Sequence, residues 1–263
     1  NVGDMRNTGI ELSLNADAIR TKDFDWNISL NLAHNENEVT RLSNDVFTMD
    51  KILLGDVFIR GGSSSGTHVL EEGRPIGQFY GLVCNGIDEN GRYILVDKDG
   101  DGEISDPADY DYRGSAQPKL TYGITNSFRY KNFDLSFFLR GTIGNDILNA
   151  TRMAYAQSGF LPGTNALDDP LTYTLSETPR FSNYYLEKGS FMRLDNLTLG
   201  YKIKALNGIR VYFTAQNLFV ITKYKGLDPE VPMDSGDGLT PGVEPREFYP
   251  KARTFSVGLN LNF

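Results

Sequence analysis

The last eleven residues of the chain, RTFSVGLNLNF (253–263), alternate between apolar and polar side chains. Every second residue from Phe255 onward is apolar, and these residues are Phe255, Val257, Leu259, Leu261 and Phe263. The residues between them are small or polar, so the segment predicts a β-strand with one apolar and one polar face. A soluble domain rarely leaves such a strand at an unprotected end, which raises the question of what the apolar face contacts.

The same two-residue period recurs along the rest of the chain. It is found at residues 10–16, 26–32, 122–130, 133–139, 197–203 and 209–215. No long stripe with the 3.6-residue period of a helix competes with it. No run approaches the roughly 18 consecutive apolar residues that a membrane helix needs. The pattern predicts an all-β antiparallel fold, and any membrane crossing would have to be made by strands.

The predicted strands are connected by turns of two very different lengths. Short hairpin turns are expected at Lys22–Asp23, Lys131–Asn132 and Asn207–Gly208. The first two share the pattern K-[DN]-F-D, which indicates one hairpin device used twice. Long polar excursions are expected at about 36–64, 86–118, 144–188 and 222–250. Short turns at one end and long loops at the other are typical of an outer-membrane barrel.

A soluble β-sandwich is the main structural alternative, because its strands also alternate. Its loops would be more evenly short, whereas here Asn, Ser, Thr, Asp, Arg and Gln fill one face of most strands, as expected for a wet lumen. Aromatic residues near strand ends would lie at the lipid headgroups, and these are Trp26, Tyr122, Tyr130 and Tyr201. About eight to ten strands can be counted, and an eight-stranded barrel would not need such loops. We therefore expect the chain to be part of a larger barrel.

One acidic stretch, DKDGDGEISDPAD (97–109), has the spacing of a calcium-binding loop. Its aspartates fall at positions 1, 3 and 5 of an EF-hand pattern and a glycine falls at position 6. Position 12, which should supply a bidentate glutamate, is Ala108, with an aspartate one residue later. The candidate structural calcium ligands are Asp97, Asp99, Asp101, Glu103 and Asp109. The alternative is an acidic turn that is only solvated.

Enzymatic motifs are weak in this chain. GSSSG (62–66) matches the nucleophile elbow of hydrolases in spelling, but His68 follows in an extended segment where that motif needs a helix. Cys84 is the only cysteine, which favours a buried thiol over a disulfide or a Cys-based metal site. The formal net charge of −8 disfavours nucleic acid as a partner. We assign no catalytic residue and no organic cofactor, and the substrate-binding residues are not predicted.

Several segments in this order resemble the C-terminal portion of a SusC/RagA-type TonB-linked outer-membrane transporter. They are MRNTGIELSL, EEGRPIGQFYGLVCNGI, DKDGDGEISD, AQPKLTYGITNSFRYKNFDLSFFLRG, GNDILN, GSFMRLDNLTLGY, IRVYFTAQNLFVITKYKGLDPEV and RTFSVGLNLNF. The resemblance implies that residues 1–263 belong to the C-terminal part of a large, 22-stranded barrel. The plug domain and the N-terminal strands would lie outside this chain. Phe263 would end the apolar stripe at a membrane interface.

The resemblance also implies a function and a set of partners. The function would be TonB-dependent uptake of oligosaccharides or peptides across the Gram-negative outer membrane. The partners would be a SusD-like surface lipoprotein, TonB through the N-terminal region, the remaining strands and plug, the glycan or peptide substrate, and outer-membrane lipid. Calcium in the acidic loop would brace that loop. The alternatives are a soluble secreted calcium-dependent binding or adhesion module, and an outer-membrane hydrolase.

Overall fold

The computed structural model describes residues 3–43, 49–59, 66–159, 161–204, 209–230, 238–245 and 249–261. The strands in chain order are β1 (Asp4–Arg20), β2 (Phe24–Arg41), β3 (Lys51–Leu54), β4 (His68–Glu71), β5 (Gln78–Leu82), β6 (Cys84–Ile87), β7 (Tyr93–Leu95), β8 (Tyr110–Ser115), β9 (Leu120–Tyr130), β10 (Phe133–Ile143), β11 (Asp146–Leu148), β12 (Leu186–Lys188), β13 (Phe191–Ile203), β14 (Ile209–Thr222) and β15 (Thr254–Asn260). The helices are α1 (Ala150–Tyr155) and α2 (Pro170–Thr174), and a 3-10 turn covers Asn183–Tyr185. No helix in these ranges is long and apolar enough to cross a membrane.

One antiparallel sheet dominates the fold, with the strand order β1-β2-β9-β10-β13-β14-β15. Tight turns join β1 to β2 and β9 to β10, which confirms two of the predicted hairpins. The predicted Asn207–Gly208 turn lies outside the described residues. At the other end of the strands, three long loops connect β2 to β9, β10 to β13 and β14 to β15. The predicted asymmetry between short turns and long loops is confirmed.

The sheet contains fewer long strands than the eight to ten counted in the sequence. Seven strands form it in the described part of the chain. Residues 36–41 of the first predicted excursion continue β2, so that boundary is wrong. The rest of it and the excursion at 86–118 belong to a single loop, residues 42–119, which contains a four-stranded sheet of β3, β4, β5 and β8 and the β6-β7 pair. An alternating pattern shows that a segment is extended, but not which sheet it joins.

The register aligns the apolar side chains of neighbouring strands on one face of the large sheet. One row crosses six strands through Trp26, Phe128, Leu135, Leu199, Phe213 and Val257. Many apolar side chains of this face are exposed, among them Leu12, Leu14, Phe133, Leu199, Val257 and Leu259. A monomeric soluble domain rarely exposes an apolar surface of this extent, so the face is built to contact another apolar medium.

One polar side chain of the apolar face, Asn126, has its hydrogen-bond partner within that face. Asn126 lies in register between Ile28 and Phe137, and only 9% of it is exposed. The indole Nε1 of Trp26 donates a hydrogen bond to Asn126 Oδ1 at 3.0 Å. This hydrogen bond satisfies the amide oxygen of Asn126, which would be costly to leave unpaired in apolar surroundings.

The largest buried core lies in the long loops instead of beneath the sheet. Its fully buried members include Phe79, Leu148, Met153 and Tyr185, all from residues 42–119 and 144–190. Cys84 belongs to the same cluster, and burial raises the pKa of its thiol. The expected buried thiol is therefore confirmed. The loops form a packed layer at one end of the sheet, which holds their functional side chains in fixed positions.

Candidate functional site

The face of the large sheet opposite to the apolar one carries short polar and charged side chains. Alternation places Ser13, Asn31, Thr121, Arg140 and Thr198 on it. An open groove of about 580 Å³ lies against this face where the strands approach the long loops. Glu11, Ser13, Arg140 and Glu230 are among the residues that line it. The groove offers hydrogen-bond donors, acceptors and both signs of charge to a polar solute.

Beside this groove a group of charged residues, here called the loop clamp, attaches the β14–β15 loop to the sheet. Its members are Arg140, Arg193, Asp195, Asp228, Glu230 and Lys251. Arg193 is only 1% exposed, and its Nη2 donates to Asp228 Oδ1 at 2.5 Å. Its Nη1 also donates to Asn217, and its Nε lies 3.5 Å from Glu230 Oε2. A charge buried this deeply requires such partners.

The register explains why the clamp needs carboxylates from the loop. Arg140 on β10 and Arg193 on β13 are directly opposite each other, an arrangement in which like charges repel. Glu230 accepts hydrogen bonds from Arg140 and from Lys251, the latter at 2.5 Å. Burial raises the pKa of the Glu230 carboxyl, but the hydrogen bonds from Arg140 and Lys251 outweigh it, so that pKa lies below its ordinary value. Glu230 is therefore held as a carboxylate.

The acidic loop of residues 97–109 brings together some of the predicted calcium ligands. One carboxylate oxygen each from Asp97, Asp99 and Asp109 lie within 4.8 Å of one another. Asp109 is fully buried, and its two oxygens accept hydrogen bonds from the backbone N–H groups of Lys98 and Ser105 at 2.6 and 2.7 Å. These bonds hold the pKa of Asp109 below its usual value.

The other two predicted ligands are not in this cluster. Asp101 Oδ1 accepts a hydrogen bond from the backbone N–H of Glu103 at 2.8 Å, and neither residue joins the group among the described residues. Asp97 accepts from the backbone N–H groups of Gly100 and Gly102, at 2.6 and 2.8 Å. The cluster therefore contains the residues at positions 1 and 3 of the EF-hand pattern. The aspartate at position 13 takes the place of the residue expected at position 12.

Among the residues that the structure describes, the candidates for a hydrolase do not come together in an active site. Residues 62–65 of the GSSSG motif lie outside the described residues. His68 is 1% exposed, and its two ring nitrogens lie 2.8 Å from Thr67 Oγ1 and 2.9 Å from the carbonyl oxygen of Pro241. These contacts place the imidazole in the loop layer, where it joins residues 67–68 to the β14–β15 loop.

The loop clamp was not found by reasoning from the sequence. The sequence signal for it is the presence of two arginines, Arg140 and Arg193, on the polar face of neighbouring strands. Two such arginines require acidic partners from elsewhere in the chain. Those partners lie 35 to 90 positions away along the chain. No local pattern connects them. The register of β10 against β13 brings the two arginines together, and the β14–β15 loop brings the carboxylates to them.

Comparison with known proteins finds relatives that align with the whole length of this chain. The chain is 36% identical to the TonB-dependent receptor SusC of Bacteroides thetaiotaomicron and 32% identical to the TonB-dependent receptor P3 of Formosa agariphila. Both alignments cover 100% of this chain but only 27% and 29% of the relatives. The chain thus spans under a third of the length of the curated relatives it matches. No family model matches the sequence.

Solved structures give the same result. The chain matches the RagAB peptide transporter with a TM-score of 0.76 and 27% identity, over 98% of this chain and 29% of that one. The RagAB peptide importer in the closed-closed state matches with a TM-score of 0.75 and 26% identity, covering 98% of this chain and 30% of that chain. The fold and the sequence therefore point to the same class of receptor and transporter, and these relatives are not described as enzymes.

Proposed function

Because this chain is a segment of a SusC/RagA-type TonB-dependent receptor, we propose that its parent protein imports an oligosaccharide or a peptide across a Gram-negative outer membrane. The observation that carries the proposal is the large sheet. Exposed apolar side chains lie on one face in six of its seven described strands, and the opposite face is polar and carries the groove. In a membrane barrel these are the lipid-facing and lumen-facing surfaces.

The loop layer supports the same proposal. In the proposed barrel, the short hairpins face the periplasm and the long loops face the outside of the cell. There the packed loops and the loop clamp form part of the substrate vestibule and the docking surface for a SusD-like lipoprotein. Energy would come from TonB acting through the N-terminal region, and the relatives named as TonB-dependent receptors support this.

The soluble adhesion module is a weaker interpretation. It would bury the apolar face of its sheet against a second sheet, as sandwiches do. In the described residues, the buried core lies in the loops while the apolar face of the large sheet stays exposed. A soluble protein with this surface would aggregate.

The import proposal is tested with the intact parent protein in its native cells. We expect it in the detergent-extracted outer-membrane fraction, together with a lipoprotein, and we expect uptake of labelled oligosaccharides or of labelled oligopeptides to stop when an uncoupler removes the proton gradient. Deleting the gene should remove the same uptake. A stable, detergent-free species near 29.3 kDa would overturn the proposal.

We further propose that the acidic loop binds a calcium ion as a structural brace. Calcium takes oxygen ligands at about 2.3–2.6 Å, so two oxygens bound to one ion lie at most about 5 Å apart. The oxygens of Asp97, Asp99 and Asp109 lie within 4.8 Å of one another and fit this requirement. The ion would neutralise converging carboxylates and hold residues 97–109 against β8.

The calcium proposal gives a prediction that distinguishes the ligand set seen in the structure from the ligand set of the EF-hand pattern. Replacing Asp109 by asparagine should abolish calcium binding to the parent protein, as measured by isothermal titration after chelator treatment, because a buried carboxylate ligand is lost. Asp101→Asn, the matched control, should retain most of the affinity because this carboxylate lies outside the cluster. If Asp101→Asn were the damaging change, the loop would follow the standard register and our ligand set would be wrong.

A further inference from the structure

The two hairpins with the K-[DN]-F-D pattern have the same construction, and neither the import proposal nor the calcium proposal uses it. In both, the aspartate points to the polar face and pairs with an arginine of another strand of the sheet. Asp25 accepts from Arg129 Nε at 2.7 Å, and Asp134 accepts from Arg210 Nε at 2.9 Å. The second pair spans β13 at Gly200, where an added Cβ would lie 2.5 Å from both partners. These ion pairs fix the hairpin ends on the polar side.

The phenylalanine of each pattern points to the opposite, apolar face. Phe24 and Phe133 are in register with Tyr130, and the row continues to Tyr201 on β13. The rings of Phe133 and Tyr201 are 4.6 Å apart, and Tyr130 and Phe133 are each about half exposed. A row of aromatic side chains at one height, three of them exposed, suits the boundary between hydrocarbon and headgroups, where Tyr is enriched.

The lysine of each pattern lies at the tip of its turn, next to this row. A backbone hydrogen bond from Lys131 N–H to Asp23 O at 2.8 Å joins the two turns, so they lie side by side. Lys202 N–H, near the end of β13, donates to Asn132 O of the second turn at 2.9 Å. Lys131 Nζ lies 5.4 Å from the centre of the Tyr130 ring. Neither Lys22 nor Lys131 forms a salt bridge within the described ranges. Their ammonium groups are exposed and face solvent beside the aromatic row.

The backbone of Lys131 gives an independent indication that this lysine has a role. Its φ is +53°, a left-handed conformation that Gly, Asn and Asp adopt more readily. A lysine held there costs stability that a glycine would not. The turn therefore keeps a cation at a position where the backbone favours another residue.

Charge is distributed unequally between the two ends of the sheet. The long loops, residues 42–119, 144–190 and 223–253, contain 25 acidic and 15 basic residues. The hairpin end, residues 17–25, 129–134 and 200–210, contains four acidic and seven basic residues. Although the chain carries a net charge of −8, its hairpin end is therefore positive. This end attracts anions, and the loop end repels them.

We propose that these hairpins form a binding surface for the phosphate groups of anionic phospholipids. The surface, here called the hairpin rim, consists of Lys22, Phe24, Tyr130, Lys131, Phe133 and Tyr201. The aromatic rings lie among the outer parts of the acyl chains, and the lysines reach the phosphates from the turns, as amphipathic side chains do at interfaces. The inference rests on the proposed membrane location, and its ligand is the lipid of the leaflet at the hairpin end.

The test uses the delipidated full-length parent receptor in detergent, titrated with phosphatidylglycerol or phosphatidylethanolamine and followed by native mass spectrometry. We expect a preference for phosphatidylglycerol, and we expect the Lys22→Gln/Lys131→Gln variant to bind this lipid about tenfold more weakly. The matched control is Lys223→Gln/Lys225→Gln, which removes two exposed lysines from the loop end and should leave the affinity unchanged. Heat-modifiable migration in electrophoresis checks that both variants are folded.

Each alternative result has a defined meaning. Equal phosphatidylglycerol binding by the wild type and the rim variant overturns the inference, and so does an equal loss in the loop-end control. Displacement of the lipid by excess inorganic phosphate would show a free-phosphate site and overturn the assignment to lipid. A detergent-requiring receptor without lipid preference refutes only this inference, whereas a receptor that needs no detergent refutes the import proposal.

Discussion

Replacing Arg193 by methionine should release the β14–β15 loop from the sheet and destabilise this region by about 3–5 kcal/mol. The substitution keeps most of the volume of the side chain but leaves Asp228, which is 4% exposed, as a buried carboxylate without its arginine. An unpaired buried charge is far more costly than the loss of an exposed ion pair. Hydrogen exchange at residues 223–230 of the parent receptor should accelerate by about two to three and a half orders of magnitude.

Two further variants separate this effect from a general loss of packing or charge. Arg129→Gln removes an arginine whose side chain is 61% exposed, and it should change exchange at residues 223–230 very little. Arg193→Met combined with Asp228→Leu removes both buried charges and should recover part of the lost protection. Unchanged exchange in Arg193→Met would show that the loop is held by other contacts.

Replacing Leu30 by arginine should block assembly of the parent receptor in the membrane. Leu30 lies between Leu14 and Ile124 on the apolar face, six residues from the aromatic row at the hairpin end. An arginine on the lipid face of a barrel costs about 2–4 kcal/mol near the middle of the bilayer. We expect little folded receptor in the outer-membrane fraction, as measured by heat-modifiable migration.

The neighbouring residue is the matched control for this prediction. Ser29 lies on the polar face, in register with Asn15 and Thr125, so Ser29→Arg should assemble nearly as well as the wild type. Equal damage from both arginines would show that β2 does not separate lipid from lumen. Greater damage from Ser29→Arg would reverse our assignment of the two faces.

These predictions depend on features that differ in how far the sequence reveals them. The two faces of the strands follow from a period of two residues, which is a local property of an extended chain. The hairpins follow from short polar breaks between such segments, as at Lys131 and Asn132. The division into short turns and long loops then needs only the distances between strands along the chain, and the structure confirms it.

The interior of the loops could not be derived in the same way. Short segments such as Gln78–Leu82 are as apolar as strands of the large sheet, yet they pack in the loop layer with Leu148 and Tyr185. Asp109 lies one residue beyond the last ligand position of the EF-hand pattern. The spacing alone does not show that its carboxylate lies close to those of Asp97 and Asp99. Both outcomes depend on turns whose geometry is set by distant contacts.

The strand faces and the hairpin ends can be read from the sequence alone, because they are properties of neighbouring residues along the chain. The order of the segments along the whole chain carries the likeness to TonB-dependent receptors. The fold is needed to show that seven strands form the large sheet in the described residues and that Arg140 and Arg193 share the carboxylate of Glu230. The fold also shows that the two similar turns lie side by side in the hairpin rim. The sheet and the paired turns depend on register, which is set by hydrogen bonds between segments far apart in the chain. The shared carboxylate also depends on how the β14–β15 loop folds back onto the sheet.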